Sequence, residues 1–113
     1  MTTTEPRRAT TIEVYEVAME SVDHRTVGEL KRRLAAFDRP GTQLVLDLRR
    51  VDFMDSSGLG ALLATLRRLA ASGGDLKVCC LTPAVHVLFE LVRVHRVFEV
   101  LRSREEALAA CEG

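Results

Sequence analysis

Short apolar runs alternate with longer stretches in which apolar residues recur every three or four positions. The runs at 11–19, 43–48, 75–81 and 97–101 are rich in aliphatic residues and have the length of strands. The recurring positions predict helices, because this spacing puts side chains on one helical face; they are Val27, Leu30, Leu34 and Phe37, then Leu59, Leu62, Leu63, Leu66 and Leu69, then Val85, Leu88, Phe89 and Val92. This alternation predicts an α/β fold with a largely parallel sheet.

Helix caps mark where several of these helices begin. Asp23 is a candidate N-cap for the first, and Thr82 is one for the third, with Pro83 in the first helical position. Ser103 and Glu106 have the spacing of a capping box and predict a C-terminal helix. We therefore expect a single domain with a sheet of four to five strands and about four helices.

Size, charge and hydropathy narrow the class of protein. The 113 residues fit one domain, and 16 basic residues balance 16 acidic ones, so nucleic acid and anionic membranes are disfavoured as partners. The chain has neither an apolar signal core nor a run of transmembrane length, which predicts a cytoplasmic protein. Residues 1–10 are polar and contain Pro6, so we expect a flexible tail or weak edge strand there and the domain over 11–113.

The cysteines are predicted to be reduced thiols. Cys79 and Cys80 are adjacent in an apolar run, where a strand would point their side chains to opposite faces. With Cys111 they show no zinc-type spacing, so no metal site is expected.

Polar segments are expected to gather at one edge of the sheet. The carboxyl ends of parallel strands meet there, and ligands of such folds bind there. The segments 21–24, 52–57 and 81–83 each follow an apolar run and should cluster at this edge. The second contains Ser56 and Ser57, where a strand leads into the leucine-rich helix.

Chemistry alone leaves several roles open for the two serines. Either could cap the helix, although Asp55 could do the same. A hydrolase nucleophile elbow needs a glycine two residues before its serine, and Met54 or Asp55 stands there instead, with His24 as the one histidine predicted near this edge. An enzyme is therefore not expected.

Nucleotide binding and a receiver domain are weaker alternatives. The segment 58–63 matches only two glycines of a dinucleotide fingerprint and follows the serines. A receiver would use Asp47, Asp52 or Asp55 as phosphate acceptor, but no lysine follows Lys77 to pair with the phosphate.

A serine at a helix start is a suitable target for phosphorylation. The phosphate adds about −1.5 to −2 charges at neutral pH. The unpaired N–H groups of the helix start are expected to receive this charge, so the fold should tolerate it. With Asp55 adjacent and Asp23 at the same edge, the surface would become strongly anionic and repel a docked partner.

The stretch VDFMDSSGLGALLATLRR (51–68) resembles the central motif of the anti-sigma factor antagonists, small bacterial STAS-domain proteins typified by the sporulation anti-anti-sigma factor. The segments 22–26 (VDHRT), 72–91 and 103–108 (SREEAL) are similar to the family in the same order. The resemblance covers nearly the whole chain from about residue 11, and it implies a STAS-like domain.

The resemblance also implies a partner-switching role in transcription. Such a protein binds a kinase-type anti-sigma factor when unphosphorylated and releases a sigma factor; the kinase phosphorylates the first serine of the motif, here Ser56, and a phosphatase restores it. The kinase supplies ATP and Mg²⁺, so no cofactor is expected in this chain. The protein is expected to be a monomer or a weak dimer. The implied partner-binding residues are Asp23, His24, Asp55, Ser56, Ser57, Gly58 and Leu59.

A second reading of the resemblance is a STAS scaffold or adaptor that docks without phosphorylation, in a stress-signalling assembly or a transporter accessory complex. Two positions depart from the family. Glu20 and Arg93 stand where glycine is usual. If either keeps a positive φ, the cost is about 1 kcal/mol.

Overall fold

Strands and helices alternate through the whole of the described chain. The computed structural model describes residues 11–112. Its strands are β1 (Thr11–Glu16), β2 (Ser21–Val22), β3 (Thr42–Asp47), β4 (Phe53–Met54), β5 (Asp75–Cys79) and β6 (Glu99–Leu101), and its helices are α1 (Val27–Ala35), α2 (Ser56–Ala71), α3 (Pro83–Leu91) and α4 (Arg104–Glu112). A 3₁₀ turn at Val94–Arg96 precedes β6.

Four of the strands form a parallel sheet in the order β1-β3-β5-β6. The main core lies on one face of the sheet, where Leu44, Leu46 and Val78 pack with residues of α1, α2 and α3. The other face is covered by α4, whose Ala107 packs against Val45 and Cys79. The central strands are buried on both faces, as their continuous apolar sequence predicts. The predicted α/β fold, with its four parallel strands and four helices, is confirmed.

A second, smaller sheet was not predicted. The run at 11–19 looks like one strand, but β1 ends at Glu16 and the chain bends before β2 begins. β2 pairs in parallel with β4, joining Ser21 to Phe53 and Val22 to Met54. Strands of two residues contain too few positions to show an alternation of apolar and polar side chains.

Two predicted N-caps act differently from expectation. Thr26, not Asp23, is the N-cap residue of α1, and the Asp23 carboxylate instead accepts hydrogen bonds from the Arg25 and Thr26 N–H groups, at 2.9 and 3.2 Å. Asp23 therefore holds the turn that precedes the helix. Thr82 is the N-cap residue of α3, but its hydroxyl donates to the Val51 carbonyl oxygen at 2.7 Å.

The predicted capping box of the C-terminal helix is confirmed in its Ser103 half, while its Glu106 half is shifted to the residue before Ser103. The Glu106 N–H donates to the Ser103 hydroxyl oxygen at 3.1 Å, and the Glu106 carboxylate accepts from the Arg102 N–H at 3.1 Å. These bonds satisfy donors at the start of α4 that have no partner within the helix.

Two residues other than glycine have a positive φ in the described chain. Arg93 has φ 64°, so it adopts the left-handed conformation expected where the family usually has glycine. Glu20, the other such position, does not have a positive φ. Cys80 has φ 62° and follows the last residue of β5. The expectation that Cys79 and Cys80 point to opposite faces is therefore wrong, because Cys80 has left the strand geometry.

Among residues 11–112, no helix combines the length and the hydropathy needed to cross a bilayer.

Candidate functional site

The small sheet brings two predicted segments of the edge together. Beyond its paired residues, the Asp55 N–H donates to the Val22 carbonyl oxygen at 3.0 Å. The His24 N–H donates to Asp55 Oδ2 at 3.2 Å. The turn at 23–26 and the start of α2 therefore lie side by side, linked through both the main chain and a side chain of Asp55.

Asp55 is the N-cap residue of α2. Its backbone is extended, and its Oδ1 accepts hydrogen bonds from the Ser57 N–H at 2.9 Å and the Gly58 N–H at 3.3 Å. The alternative in which Ser56 or Ser57 caps the helix is therefore wrong. Two of the N–H groups that were expected to be available to a phosphate, those of Ser57 and Gly58, already donate to this carboxylate.

Ser56 is the first residue of α2 and is exposed. Within residues 11–112, none of the side-chain hydrogen bonds of the site involves its hydroxyl, whereas the half-buried Ser57 contributes its main-chain N–H to the cap. A hydroxyl with this exposure is accessible to another protein and is not needed to hold the helix.

Gly58 allows the start of α2 to pack closely on the small sheet. A Cβ atom at this position would lie 2.7 Å from Met54 Cγ and 2.8 Å from Val22 Cγ1. Leu59, the next residue, is only 5% exposed and packs in the core. Both residues are buried in the packing between α2 and the small sheet or the core. Leu59 is therefore not part of the predicted partner-binding surface.

Asp23 is largely buried and belongs to the wall of the site. The N–H groups of Arg25 and Thr26 donate to its carboxylate, and the Arg25 guanidinium lies 3.6 Å from it. The Arg25 N–H contributes most to holding the pKa of Asp23 below its usual range. The neighbouring His24 is exposed, so the surface beside Ser56 presents one histidine and the edge of an ionised carboxylate.

The third predicted segment, 81–83, contacts the chain just before the segment 52–57. The hydrogen bond from the Thr82 hydroxyl to Val51 ties the segment at 81–83 to the chain that leads into β4.

The structure also adds Phe53, which the sequence did not single out. Its side chain is 52% exposed, in a two-residue strand whose other member, Met54, is buried. The signal was present in this alternation, but two residues are too few to recognise it.

A second carboxylate, Asp47, ends β3 at the same edge and has different partners. It is fully buried; Arg49 Nη2 lies 2.7 Å from its Oδ2, and Arg104 Nη2 lies 2.9 Å from the same atom. Burial by itself would raise the pKa of Asp47, but the hydrogen bonds from the two guanidinium groups hold it below its usual value. Arg104 also pairs with Glu16 at 3.0 Å, and so docks α4 on the sheet.

One trio in the described chain has donor atoms close enough to hold a metal ion. Oxygen of Asp47 and the sulfurs of Cys79 and Cys80 lie within 4.8 Å of one another. The trio does not suit a cation, because the carboxylate is already neutralised by Arg49 and Arg104.

Comparisons with known proteins agree with this arrangement. The model of the STAS domain family matches residues 5–107. BtrV of Bordetella bronchiseptica is 37% identical over 90 residues, covering 79% of this chain and 78% of that protein. The anti-sigma F factor antagonist of Paenibacillus polymyxa is 30% identical over 93 residues and covers 80% of each chain.

A solved structure shares the fold. The anti-sigma factor antagonist SpoIIAA in its unphosphorylated form superposes with a TM-score of 0.73, covering 95% of this chain and 94% of that one at 24% identity. Family match, relatives and architecture agree over most of the chain. The chain therefore belongs to the STAS domain family, with anti-sigma factor antagonists among its relatives.

Proposed function

We propose that this protein is an anti-sigma factor antagonist that binds a kinase-type anti-sigma factor when unphosphorylated, and that phosphorylation of Ser56 ends the binding. The names of its relatives support the antagonist role. The observation that carries the phosphorylation step is the division of labour at the start of α2. Asp55 caps the helix, and Ser56 is left exposed beside it.

The cap determines what a phosphate at Ser56 does. The N–H groups of Ser57 and Gly58 already donate to Asp55 Oδ1. A phosphate of about −1.5 to −2 charges would therefore lie beside a carboxylate rather than being neutralised by these donors. Negative charge accumulates at the surface, and a partner that fits the unmodified surface is repelled and sterically blocked.

The partner surface extends from Ser56 to the turn that contains His24. Asp55 holds this turn against the start of α2, so both parts are presented together to a partner. The kinase brings its own ATP and Mg²⁺, and a phosphatase acting on Ser56 restores binding. The exchange would occur in the cytoplasm, where the sigma factor acts, and this chain supplies the substrate and the docking surface.

Phosphate mapping tests the modification. The purified protein is incubated with ATP and the kinase-type anti-sigma factor encoded near its own gene, and the modified residue is located by mass spectrometry. We expect a single phosphate on Ser56, its loss in Ser56→Ala, and its retention in the matched Ser57→Ala. Equal modification of wild type and Ser56→Ala would disprove the assignment.

Calorimetric titration tests the switch. We expect Ser56→Asp to bind the anti-sigma factor at least tenfold more weakly than wild type, with a melting temperature within a few degrees of it. An unchanged affinity would contradict the repulsion mechanism. A stable complex that persists after incubation with ATP would instead support a scaffold that docks without phosphorylation.

A further inference from the structure

Cys79 and Cys80 form a close pair of thiols outside the proposed partner surface. Cys79 is the last residue of β5, and its side chain is buried between Val45 and Ala107. In a regular strand the next side chain would point away from it. Because Cys80 has φ 62°, its sulfur instead lies on the same side, within 4.8 Å of the Cys79 sulfur.

The two sulfurs differ in their access to solvent. Cys80 is half-buried and lines a groove of about 200 Å³ with Leu81, Val100 and Arg102. Cys79 is fully buried, and burial raises the pKa of its thiol to about 12. A small reagent that enters the groove therefore meets Cys80 first, with Cys79 behind it as a protonated thiol.

Arg49 completes the surroundings of the exposed sulfur. Its Nη2 donates to Cys80 Sγ at 3.5 Å and also lies 2.7 Å from Asp47 Oδ2, while its Nε donates to both Asp47 oxygens. A donor at this distance orients the sulfur.

The left-handed conformation of Cys80 is unfavourable for a residue with a Cβ atom. Such conformations persist where the surrounding structure imposes them, and they concentrate at functional positions. Here the end of β5 is held by hydrogen bonds to the chain on either side of it. The Leu48 N–H donates to the Cys79 oxygen at 3.0 Å, and the Cys80 N–H donates to the Leu101 oxygen at 3.3 Å. The conformation brings the sulfurs together before any reaction.

We propose that Cys79 and Cys80 are an oxidation site that hydrogen peroxide converts into a disulfide between the two adjacent residues. In the first step the Cys80 sulfur attacks one peroxide oxygen. An S–O bond forms, the O–O bond breaks, and the departing hydroxide takes up the thiol proton as water, which leaves a sulfenic acid on Cys80. In the second step the Cys79 sulfur attacks the Cys80 sulfur.

The second step closes the ring. An S–S bond forms, the S–O bond breaks, and the hydroxide leaves with the Cys79 proton as a second water. The two thiols lose two electrons, and one peroxide is reduced to two waters. Adjacent Cα atoms lie about 3.8 Å apart, closer than is usual across a disulfide, so closing the ring requires the peptide unit between Cys79 and Cys80 to adjust along with the two side chains.

Counting thiols before and after oxidation tests the proposal. The folded protein is treated with hydrogen peroxide, unfolded, and alkylated with N-ethylmaleimide, and its intact mass is measured. We expect alkylated cysteines to fall from three to one, in a monomer that is two hydrogens lighter before alkylation, and dithiothreitol to restore all three. Peptide mapping should place the single alkylated cysteine at Cys111.

Matched variants separate this site from other oxidation. Cys111→Ser should still lose two thiols, whereas Cys79→Ser and Cys80→Ser should not form the internal disulfide. A retained set of three thiols, a sulfinic acid at Cys80 without a disulfide, or a disulfide-linked dimer in wild type would each overturn the proposal.

A trivalent arsenical tests the juxtaposition without any oxidant. Phenylarsine oxide bonds to two neighbouring thiols, so we expect one adduct on wild type and on Cys111→Ser and none that survives dilution on Cys79→Ser or Cys80→Ser. Equal retention on all four proteins would show that the two sulfurs are not paired, whatever the result with peroxide.

Discussion

Asp47 and Asp55 both follow strands at the same edge of the molecule, yet their surroundings are opposite. Asp47 is buried and bound by the guanidinium groups of Arg49 and Arg104. Asp55 is half-buried and accepts its hydrogen bonds from main-chain N–H groups. Among the ion pairs of residues 11–112, Asp47 appears in two and Asp55 in none.

The difference separates a structural carboxylate from one that shapes a surface. Arg49 and Arg104 neutralise the charge of Asp47, so it adds little to the electrostatic field outside the protein. Its pairing with Arg104 also holds α4 on the sheet. Asp55 is offset only by the partial charges of a helix start. Charge added beside Asp55 therefore changes the potential of the surface, whereas charge beside Asp47 would meet two guanidinium groups.

Removing each carboxylate in turn gives the largest expected contrast. Asp47→Ala removes the buried carboxylate that Arg49 and Arg104 share and leaves Arg104 with Glu16 alone, and we expect the free energy of unfolding to fall by about 3 kcal/mol. Asp55→Ala removes a helix cap and should cost about 1 kcal/mol. Urea unfolding measures both. Equal losses would break the distinction between the two sites.

Close packing beneath Asp55 can be tested with two glycines of the same helix. In Gly58→Ala the new methyl group would collide with Met54 and Val22, and we expect a loss of about 1–3 kcal/mol in the free energy of unfolding. In Gly60→Ala nothing lies within 4 Å of the new Cβ atom, so we expect a gain of about 0.5–1 kcal/mol. Thermal or urea unfolding should give opposite signs, and matching signs would contradict the close approach at Gly58.

The acid response should depend on Asp47. Since its pKa is lowered in the folded state, the unfolded chain takes up this proton at a higher pH than the folded one. The stabilisation is complete above the unfolded pKa of about 4 and is lost as pH falls through the lower folded value. We expect the stability of Asp47→Asn to decline less than that of wild type over this range, as measured by urea unfolding at successive pH values. Parallel curves would show that Asp47 is not tightly paired.

The smallest expected effect is that of Ser56→Ala on stability. Asp55 supplies the cap and the serine side chain is exposed, so the free energy of unfolding should change by less than about 0.5 kcal/mol. The same variant should abolish phosphorylation. A loss comparable to that of Asp55→Ala would mean that the hydroxyl also holds the helix start.

The sequence predicted the large elements because each carries many repeated positions. The four strands of the main sheet followed from short apolar runs and three helices from hydrophobic spacing, whereas the C-terminal helix followed from its capping residues. The small sheet of β2 and β4 did not, since two residues carry no measurable period. Asp23 illustrates a related limit. Its residue type is correct for a cap, but the turn at 24–26 separates it from α1, and only the fold determines that offset.

Predicting the site required more than patterns of residue type. The edge where 21–24, 52–57 and 81–83 meet followed from the rule for parallel strands, and their contacts agree with it. Asp55 is the cap because the chain is still extended at this residue and becomes helical at Ser56. The sequence does not show at which of these residues the change occurs. The resemblance implies that Leu59, as part of the motif, contacts the partner, but its position on α2 turns it into the core. The choice of Ser56 over Ser57 came from the family resemblance.

The bonds of Asp55 to main-chain N–H groups have an evolutionary consequence. Every residue except proline has this donor, so the side chains at His24 and Ser57 can change without loosening the frame that holds Ser56 in place. Paralogous chains in one cell can thus diverge in which regulator they recognise while retaining the same modifiable serine. Under the proposed function, crosstalk between parallel signalling circuits can be reduced by substitutions at these few exposed positions.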